Sequence, residues 1–330
     1  MILQEQTARR PIAAMSLLRQ AWSFNATLTI FVIVSVFMLL AGIIGLLVDP
    51  RIVLGMPNWT KSAKFGVSML LYGITLLWLL PMITRWPRLA QFIGHASGAI
   101  LIFEIVLIAL QAVRGVPMHF NGATPFDAAV ANMAGLAIVF FWLATVVGLG
   151  LLLFQPMPNR VLAWGVRLGM IVTLVGFTQG FLMSVPNATQ MALFEAGQQL
   201  DMIGAHTVGA LDGGPGLPLL GWSTEHGDLR IGHFVGIHGI QAVALLAFLL
   251  VQLTAAWVRQ GHKLALVSIG ALSYLGLIIL VTWQALRDQP LLAPDALTLA
   301  VAGTMLAASA LLAGIVLLHA RHSAGSLSHL

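Results

Sequence analysis

Long apolar runs separated by short polar segments recur along the whole chain. Eight such runs can be counted, at residues 26–47, 65–83, 89–113, 128–154, 161–184, 234–258, 264–286 and 297–317. A helix that crosses a bilayer requires about 20 predominantly apolar residues, and these runs are of that order. The pattern predicts an all-α integral membrane protein: a single transmembrane domain over residues 1–330, built as a bundle of about eight helices.

Composition agrees with this prediction and removes several kinds of site. Hydrophobic residues make up 59% of the 330 positions and charged residues 8%, which leaves little material for a soluble domain. The absence of cysteine excludes disulfides, c-type haem attachment, cysteine-ligated iron–sulfur clusters and thiol nucleophiles. The net charge of +5 comes from cations scattered at the predicted span ends, so the expected partner is the lipid bilayer and not nucleic acid.

The distribution of lysine and arginine predicts an orientation. With the N-terminus inside, ten of the 16 cations, beginning with Arg9 and Arg10, lie at inner ends and six at outer ends. Cytoplasmic loops carry such an excess, so we expect a cell inner-membrane protein with both termini cytoplasmic. Ahead of the first span, residues 11–22 have apolar side chains at helical spacing, which suits either a short helix on the inner surface or a plain linker.

A turn late in the first half of the chain is similar to a turn late in the second half. Gln111 and Arg114 precede Asp127, as Gln284 and Arg287 precede Asp295, at offsets of 173 residues for the first two and 168 for the third. This spacing predicts two tandem repeats of four spans, at residues 25–155 and 160–320. An even number of spans gives both repeats the same orientation, related by an axis along the membrane normal. The alternative is that apolar helices resemble one another through composition alone.

One connection, between the fifth and sixth spans, is much longer than the others. Residues 185–232 include Asn187 followed three positions later by Gln190, which predicts a capping box and a short helix to about Leu200. The glycines and prolines of residues 212–218 then set tight turns. Connections of this length are uncommon unless they are lids or binding loops, so we predict a structured extracytoplasmic cap.

Four cations stand at the outer mouths of the predicted spans. They are Lys61, Lys64, Arg114 and Arg230. As a clamp they would hold haem propionates, a lipid phosphate or an anionic solute. Alternatively they pair with the nearby acids Asp127, Asp212 and Asp228.

Ionisable residues inside spans are costly and therefore indicate function. Ser97, Glu104 and Gln111 repeat every seven residues and share one face of the third span, and the sixth span carries His238 and Gln241. We expect these two polar stripes to face each other or a wet cavity. Gln111 and Gln241 are then candidate cofactor contacts, and Glu104 handles protons as a candidate catalytic group. The alternative for Glu104 is a protonated acid bonded to a neighbouring helix.

Histidines near the outer side are candidate metal or haem ligands. Imidazole is a common axial ligand of haem, and glycines around His233 and His238 would let a flat macrocycle approach. His95 lies near the opposite end of its span and cannot share that centre. We therefore predict that His238 meets an outer histidine at a common centre. The candidate partners are His119, His206, His226 and His233.

Four parts of the sequence carry a resemblance to a group of multi-pass bacterial membrane proteins of no assigned activity. They are WTKSAKF at 59–65, RG at 114–115 with HFN at 119–121 and TPFD at 124–127, DGGPGLP at 212–218, and GDLR at 227–230 with HF at 233–234. The resemblance extends over most of the chain but implies no particular function.

These observations support one leading hypothesis and two rivals. The first is an outward-facing centre of haem b or a transition metal in a redox role, which exchanges electrons with a partner on the outer side. The second is a transporter or small-ligand receptor with its site at the repeat interface. The third is a membrane enzyme that acts on lipid at the outer leaflet, so the sequence does not decide whether the protein is an enzyme.

Overall fold

The computed structural model describes residues 13–325, so Arg9, Arg10 and the start of the predicted surface helix at 11–12 lie outside the described residues. Within that range the chain forms α1 (Ala13–Phe24), α2 (Ala26–Val48), β1 (Ile52–Val53), β2 (Met56–Pro57), α3 (Thr60–Leu79), α4 (Pro87–Arg114), α5 (Pro125–Phe154), α6 (Arg160–Gln179), α7 (Ala188–Glu195), α8 (Leu229–Ile237), α9 (Gly239–Gln252), α10 (Gln260–Leu286) and α11 (Ala296–Gly325). Strands β1 and β2 pair as a small antiparallel hairpin.

The prediction of an all-α multi-pass membrane bundle is confirmed. Among the described residues, seven helical segments are long and apolar enough to cross a membrane. An eighth span results if α8 and α9, which meet at an angle of 43°, are counted together. Helix α1 precedes the first span and is separate from it. It covers residues 13–22 of the segment for which the sequence suggested a surface helix or a linker.

Local signals set the helix ends as the sequence suggests. The Asn187 side chain accepts from the Gln190 amide, and the Gln190 side chain accepts from the Asn187 amide, so the predicted capping box is present. The helix ends at Glu195, however, and not near Leu200. Gly197 adopts a positive φ of 77°, which terminates helical geometry before that point.

The break between α8 and α9 depends on packing against α6. Gly236 lies so close to Gly176 that a Cβ on either residue would overlap the other backbone. At the bend, the Thr173 hydroxyl accepts from the Ile240 amide (2.8 Å) and lies 3.4 Å from the Ile237 carbonyl. A side chain of α6 thus satisfies backbone groups that an unbroken helix would pair internally, as a buried break requires.

Alternating spans place four connections at one end of the bundle, which we call the loop-rich end. They are residues 49–59, 115–124, 185–228 and 287–295. These segments contact one another: Asn121 bridges to Met202, and His226 Nδ1 lies 3.1 Å from the Asp288 carboxylate. The connections at the other end, which we call the short-loop end, are briefer. The loop-rich end is therefore where distant parts of the sequence meet.

Candidate functional site

Two adjoining cavities lie beneath the loop-rich end. The polar chamber has a volume of about 290 Å³ and is lined by the 49–59 hairpin, the start of α3 and the long connection. The apolar chamber, about 220 Å³, lies deeper, among α3, α4, α5 and α6. Six residues line both chambers and form their junction: Phe65, His119, Met183, His206, His233 and Phe234.

The hairpin holds the start of α3 at the polar chamber. Asp49, directly after α2, accepts hydrogen bonds from Arg51 (2.6 Å) and from the Trp59 indole (2.7 Å). The Arg51 guanidinium holds the pKa of Asp49 well below its usual range, so the carboxylate is ionised and strongly bound. Asn58 adds a hydrogen bond to the Ala112 carbonyl at the end of α4 (2.6 Å). Lys61, in the first turn of α3, is thereby fixed at the chamber wall.

The three predicted cations that line the polar chamber have different partners. Lys64 Nζ donates to the Leu220 carbonyl (2.5 Å), and Arg230 donates to the Asp228 carboxylate (2.5 Å). Lys61 Nζ lies 5.6 Å from the centre of the Phe65 ring, and no hydrogen bond joins it to another group in the described part of the chain. Lys61 is thus the cation that remains available to a bound molecule.

Three histidines meet at the junction of the chambers. The ring centres of His119 and His206 lie 6.4 Å apart. His206 Nδ1 donates to Asp212 (2.5 Å) and His233 Nδ1 donates to the Gly176 carbonyl (2.8 Å). In the neutral form this leaves the Nε2 atoms of His206 and His233 as acceptors, with no hydrogen-bond partner among the described residues.

Burial and neighbouring polar groups together set the protonation states of two loop residues at or near this junction. Desolvation lowers the pKa of His119 well below its usual value, and the charge of nearby Lys61 adds to the effect. Burial also raises the pKa of Asp212, but the imidazole and amide of His206 and the Thr207 amide outweigh it and hold that pKa below the ordinary range. At neutral pH the site therefore combines an uncharged His119 with an ionised Asp212.

Glu104 lies at the wall of the apolar chamber. Its side chain is fully buried, and its Oε1 atom has no hydrogen-bond partner among the described residues. Ser97 and Gln111, which share its helix face, are also buried. An unpartnered buried carboxyl is costly, so Glu104 is a group that a ligand or proton can satisfy.

Arg114 and Gln111 belong to a structural turn. Arg114 forms an ion pair with Asp127 and lies 4.7 Å from the Phe126 ring centre, and Gln111 Nε2 donates to Asp127 (3.0 Å). Gln111 also lines the polar chamber, whereas Arg114 is not among the lining residues. Of the two alternatives for Arg114, pairing with the neighbouring acid is the one found.

The polar stripe of the sixth span contacts α3 and not the Glu104 face of α4. His238 Nε2 hydrogen-bonds to Ser68 (2.7 Å), and Gln241 donates to Thr75 (3.1 Å). Neither residue is among those lining the two chambers. The structure thus brings together His119, His206 and His233 while leaving His238 outside both chambers. No group of three or more His, Asp or Glu side chains within residues 13–325 is arranged to hold a metal ion.

Part of the site was not foreseen from the sequence. Ser62 is buried beside Lys61, and its hydroxyl has no partner in the described part of the chain. The apolar chamber was also missed, although Ala131 and Gly135 on one face of α5 are a signal for it. Small residues four positions apart leave space beside a helix. A hydropathy pattern does not show whether a neighbour fills that space.

Comparison with protein-family models, with curated proteins and with solved structures finds no match to this chain.

Proposed function

We propose that this membrane protein is a receptor or transporter that binds a small molecule across the two chambers, with an oxygen atom of the ligand held by Lys61. The observation that carries the proposal is the convergence of unpartnered polar groups on the two adjoining chambers. Within the described residues, Lys61 Nζ, Ser62 Oγ and Glu104 Oε1 have no hydrogen-bond partner. Lys61 and Ser62 of α3 line the polar chamber, and Glu104 of α4 lines the apolar chamber. Buried polar groups are normally paired, so a bound molecule is the natural partner.

The test compares Lys61→Met with Lys263→Met. Lys263 lies at the short-loop end and donates to the Leu253 carbonyl (2.8 Å), so it controls for loss of a lysine elsewhere. We expect a small molecule, identified by mass spectrometry of solvent extracts, to co-purify with wild type and with Lys263→Met. It should be depleted at least tenfold in Lys61→Met. Equal retention by both variants, or no bound molecule in wild type, would reject the proposal.

A redox centre is the second candidate, because one observation favours it. Two imidazoles on opposite sides of one iron have coordinating nitrogens about 4 Å apart, since each Fe–N bond is about 2 Å as in other imidazole sites. The ring centres of His119 and His206 lie 6.4 Å apart, which places the two imidazoles near each other. An absorption spectrum of the purified protein decides: a Soret band that His119→Ala abolishes would favour haem over the receptor or transporter.

We also propose that the loop-rich end is extracytoplasmic in the cell membrane. At the short-loop end, the described residues include eight Lys and Arg and neither Asp nor Glu. This excess follows the rule that cytoplasmic ends are positive. Reporter fusions after Leu89 and after Leu200 should give cytoplasmic and extracytoplasmic signals respectively, and the reverse result would overturn the orientation.

The two halves of the bundle support the proposed tandem repeat. α2 packs on α3 and α4 as α6 packs on α8, α9 and α10, and α4 contacts α5 as α10 contacts α11. The interface between such halves is a usual position for a transporter site. Here the chambers lie where α3 and α4 of one half approach α6 and α8 of the other.

A further inference from the structure

The geometry points to a lipid-soluble, uncharged ligand with a hydroxyl head group, which enters the apolar chamber sideways from the bilayer between α5 and α6. This inference rests on the proposed function and specifies its ligand class and its entrance.

The apolar chamber opens through the side of the bundle. Gly135 of α5 and Phe181, in the short 3₁₀ segment after α6, line the chamber and are also exposed on the outer surface. A Cβ placed on Gly135 would meet no heavy atom within 4 Å, so the wall is open there. Gly135 lies ten residues after the start of α5, or about 15 Å along the helix at 1.5 Å per residue.

The surface around this opening faces lipid. Val139, one turn after Gly135 on α5, and Leu182, next to Phe181, are exposed apolar side chains. Gly135 lies seven residues, or about 10 Å, inside the apolar run that begins at residue 128, so in a hydrocarbon core about 30 Å thick this surface contacts acyl chains and not water. A molecule that enters here must therefore already be dissolved in the bilayer.

The inner wall of the chamber suits an apolar chain. Tyr72, Phe141 and Phe177 form a cluster of edge-to-face rings, with centres 5.4 to 6.1 Å apart, and Leu101 and Met69 complete this wall. These side chains offer dispersion contacts to a hydrocarbon chain. The chain of the ligand would thus lie among these rings and its head would reach the junction.

The polar groups near the junction indicate an uncharged head. Lys61 supplies a donor, while the Nε2 atoms of His206 and His233 are acceptors once their Nδ1 atoms are engaged. An anionic head would meet these lone pairs and the Glu104 carboxyl, whereas a cationic head would meet Lys61. A hydroxyl both accepts and donates, and therefore satisfies both kinds of group.

The experiment uses full-length protein in nanodiscs with 1-dodecanol as the probe and native mass spectrometry as the readout. Gly135→Leu fills the opening, and Gly150→Leu is the matched control. Gly150 lies on the same helix with no heavy atom within 4 Å of an added Cβ, and it does not line the described cavities. Gly135→Ala adds only one carbon and tests whether the effect grows with size.

We expect dodecanol to bind wild type and Gly150→Leu equally, Gly135→Ala somewhat more weakly, and Gly135→Leu at least tenfold more weakly. Dodecane and dodecanoate should bind more weakly than dodecanol to wild type. Equal binding by the two leucine variants would overturn the lateral entrance, and stronger binding of dodecanoate would overturn the uncharged head. If dodecanol fails to bind while Lys61→Met still loses a co-purified molecule, the ligand class is wrong and the proposed function stands.

Discussion

The turn between α4 and α5 and the turn between α10 and α11 are built alike but lie in different places. In the first, Arg114 pairs with Asp127, and Gln111 lies 3.4 Å from the Pro117 carbonyl. In the second, Arg287 pairs with Asp295 (2.5 Å) and Gln284 donates to the Pro290 carbonyl (2.7 Å). The residue after each arginine has a positive φ, Gly115 in one and Asp288 in the other.

The surroundings of the two turns differ. The Asp127 side chain is 3% exposed and the Asp295 side chain 38% exposed. The first turn contributes Gln111 and His119 to the polar chamber, whereas the second contacts the long connection through Asp288 and leads into α11, which has no buried stretch. The same local arrangement thus lines a chamber in one half and supports a loop in the other, because only the first is enclosed by the rest of the bundle.

Removing the acid from each turn should separate their energetic roles. Asp127→Asn removes the counter-charge of Arg114 and disturbs the hydrogen bond from the buried Gln111 amide. We therefore expect a loss of about 2–4 kcal/mol of stability. Asp295→Asn breaks an exposed ion pair, which water and salt screen, and should cost much less. Thermal unfolding in one detergent measures both variants, and equal losses would show that burial does not distinguish the turns.

Changing the residue with positive φ tests the backbone of each turn. Gly115→Ala places a Cβ in the left-handed region and should cost about 1–2 kcal/mol. Asp288→Gly relieves that strain but loses the hydrogen bond from the Gly227 amide (3.1 Å) and the partly exposed contact with His226 Nδ1 (3.1 Å), so the net change should stay within about 1 kcal/mol. Denaturant or thermal midpoints measure both; a loss in Asp288→Gly exceeding that in Gly115→Ala would contradict this account.

The smallest expected effect is a pH dependence that arises from the first turn. The pKa of His119 is lowered in the folded protein, so below pH 6.5 the unfolded chain binds a proton that the folded chain does not. The stability associated with a neutral His119 is therefore fully present above the pKa that His119 has in the unfolded chain. It is lost progressively as the pH falls below that pKa. As the pH falls from 7 to 6, this histidine should lower the free energy of unfolding by about 0.7 kcal/mol.

The His119→Gln variant should reduce this loss. The measurement is the unfolding midpoint of each protein across the pH series, with Asp295→Asn as the control from the second turn. A pH slope unchanged by His119→Gln would show that other groups account for it.

Features that depend on a few neighbouring residues could be predicted from the sequence. The membrane class follows from runs of apolar residues, the Asn187 capping box from a spacing of three, and the shared helix face of Ser97, Glu104 and Gln111 from a spacing of seven. Each of these patterns is local, because helix geometry relates residues that are close in the chain.

The composition of the site depended on tertiary structure. Contacts between distant segments determine which histidines line the chambers and whether Arg114 meets a ligand or Asp127. They also determine where the sixth span breaks. Side chains far apart in sequence meet only when helices pack at particular depths and angles. Hydropathy and spacing along a single span carry no information about those depths and angles.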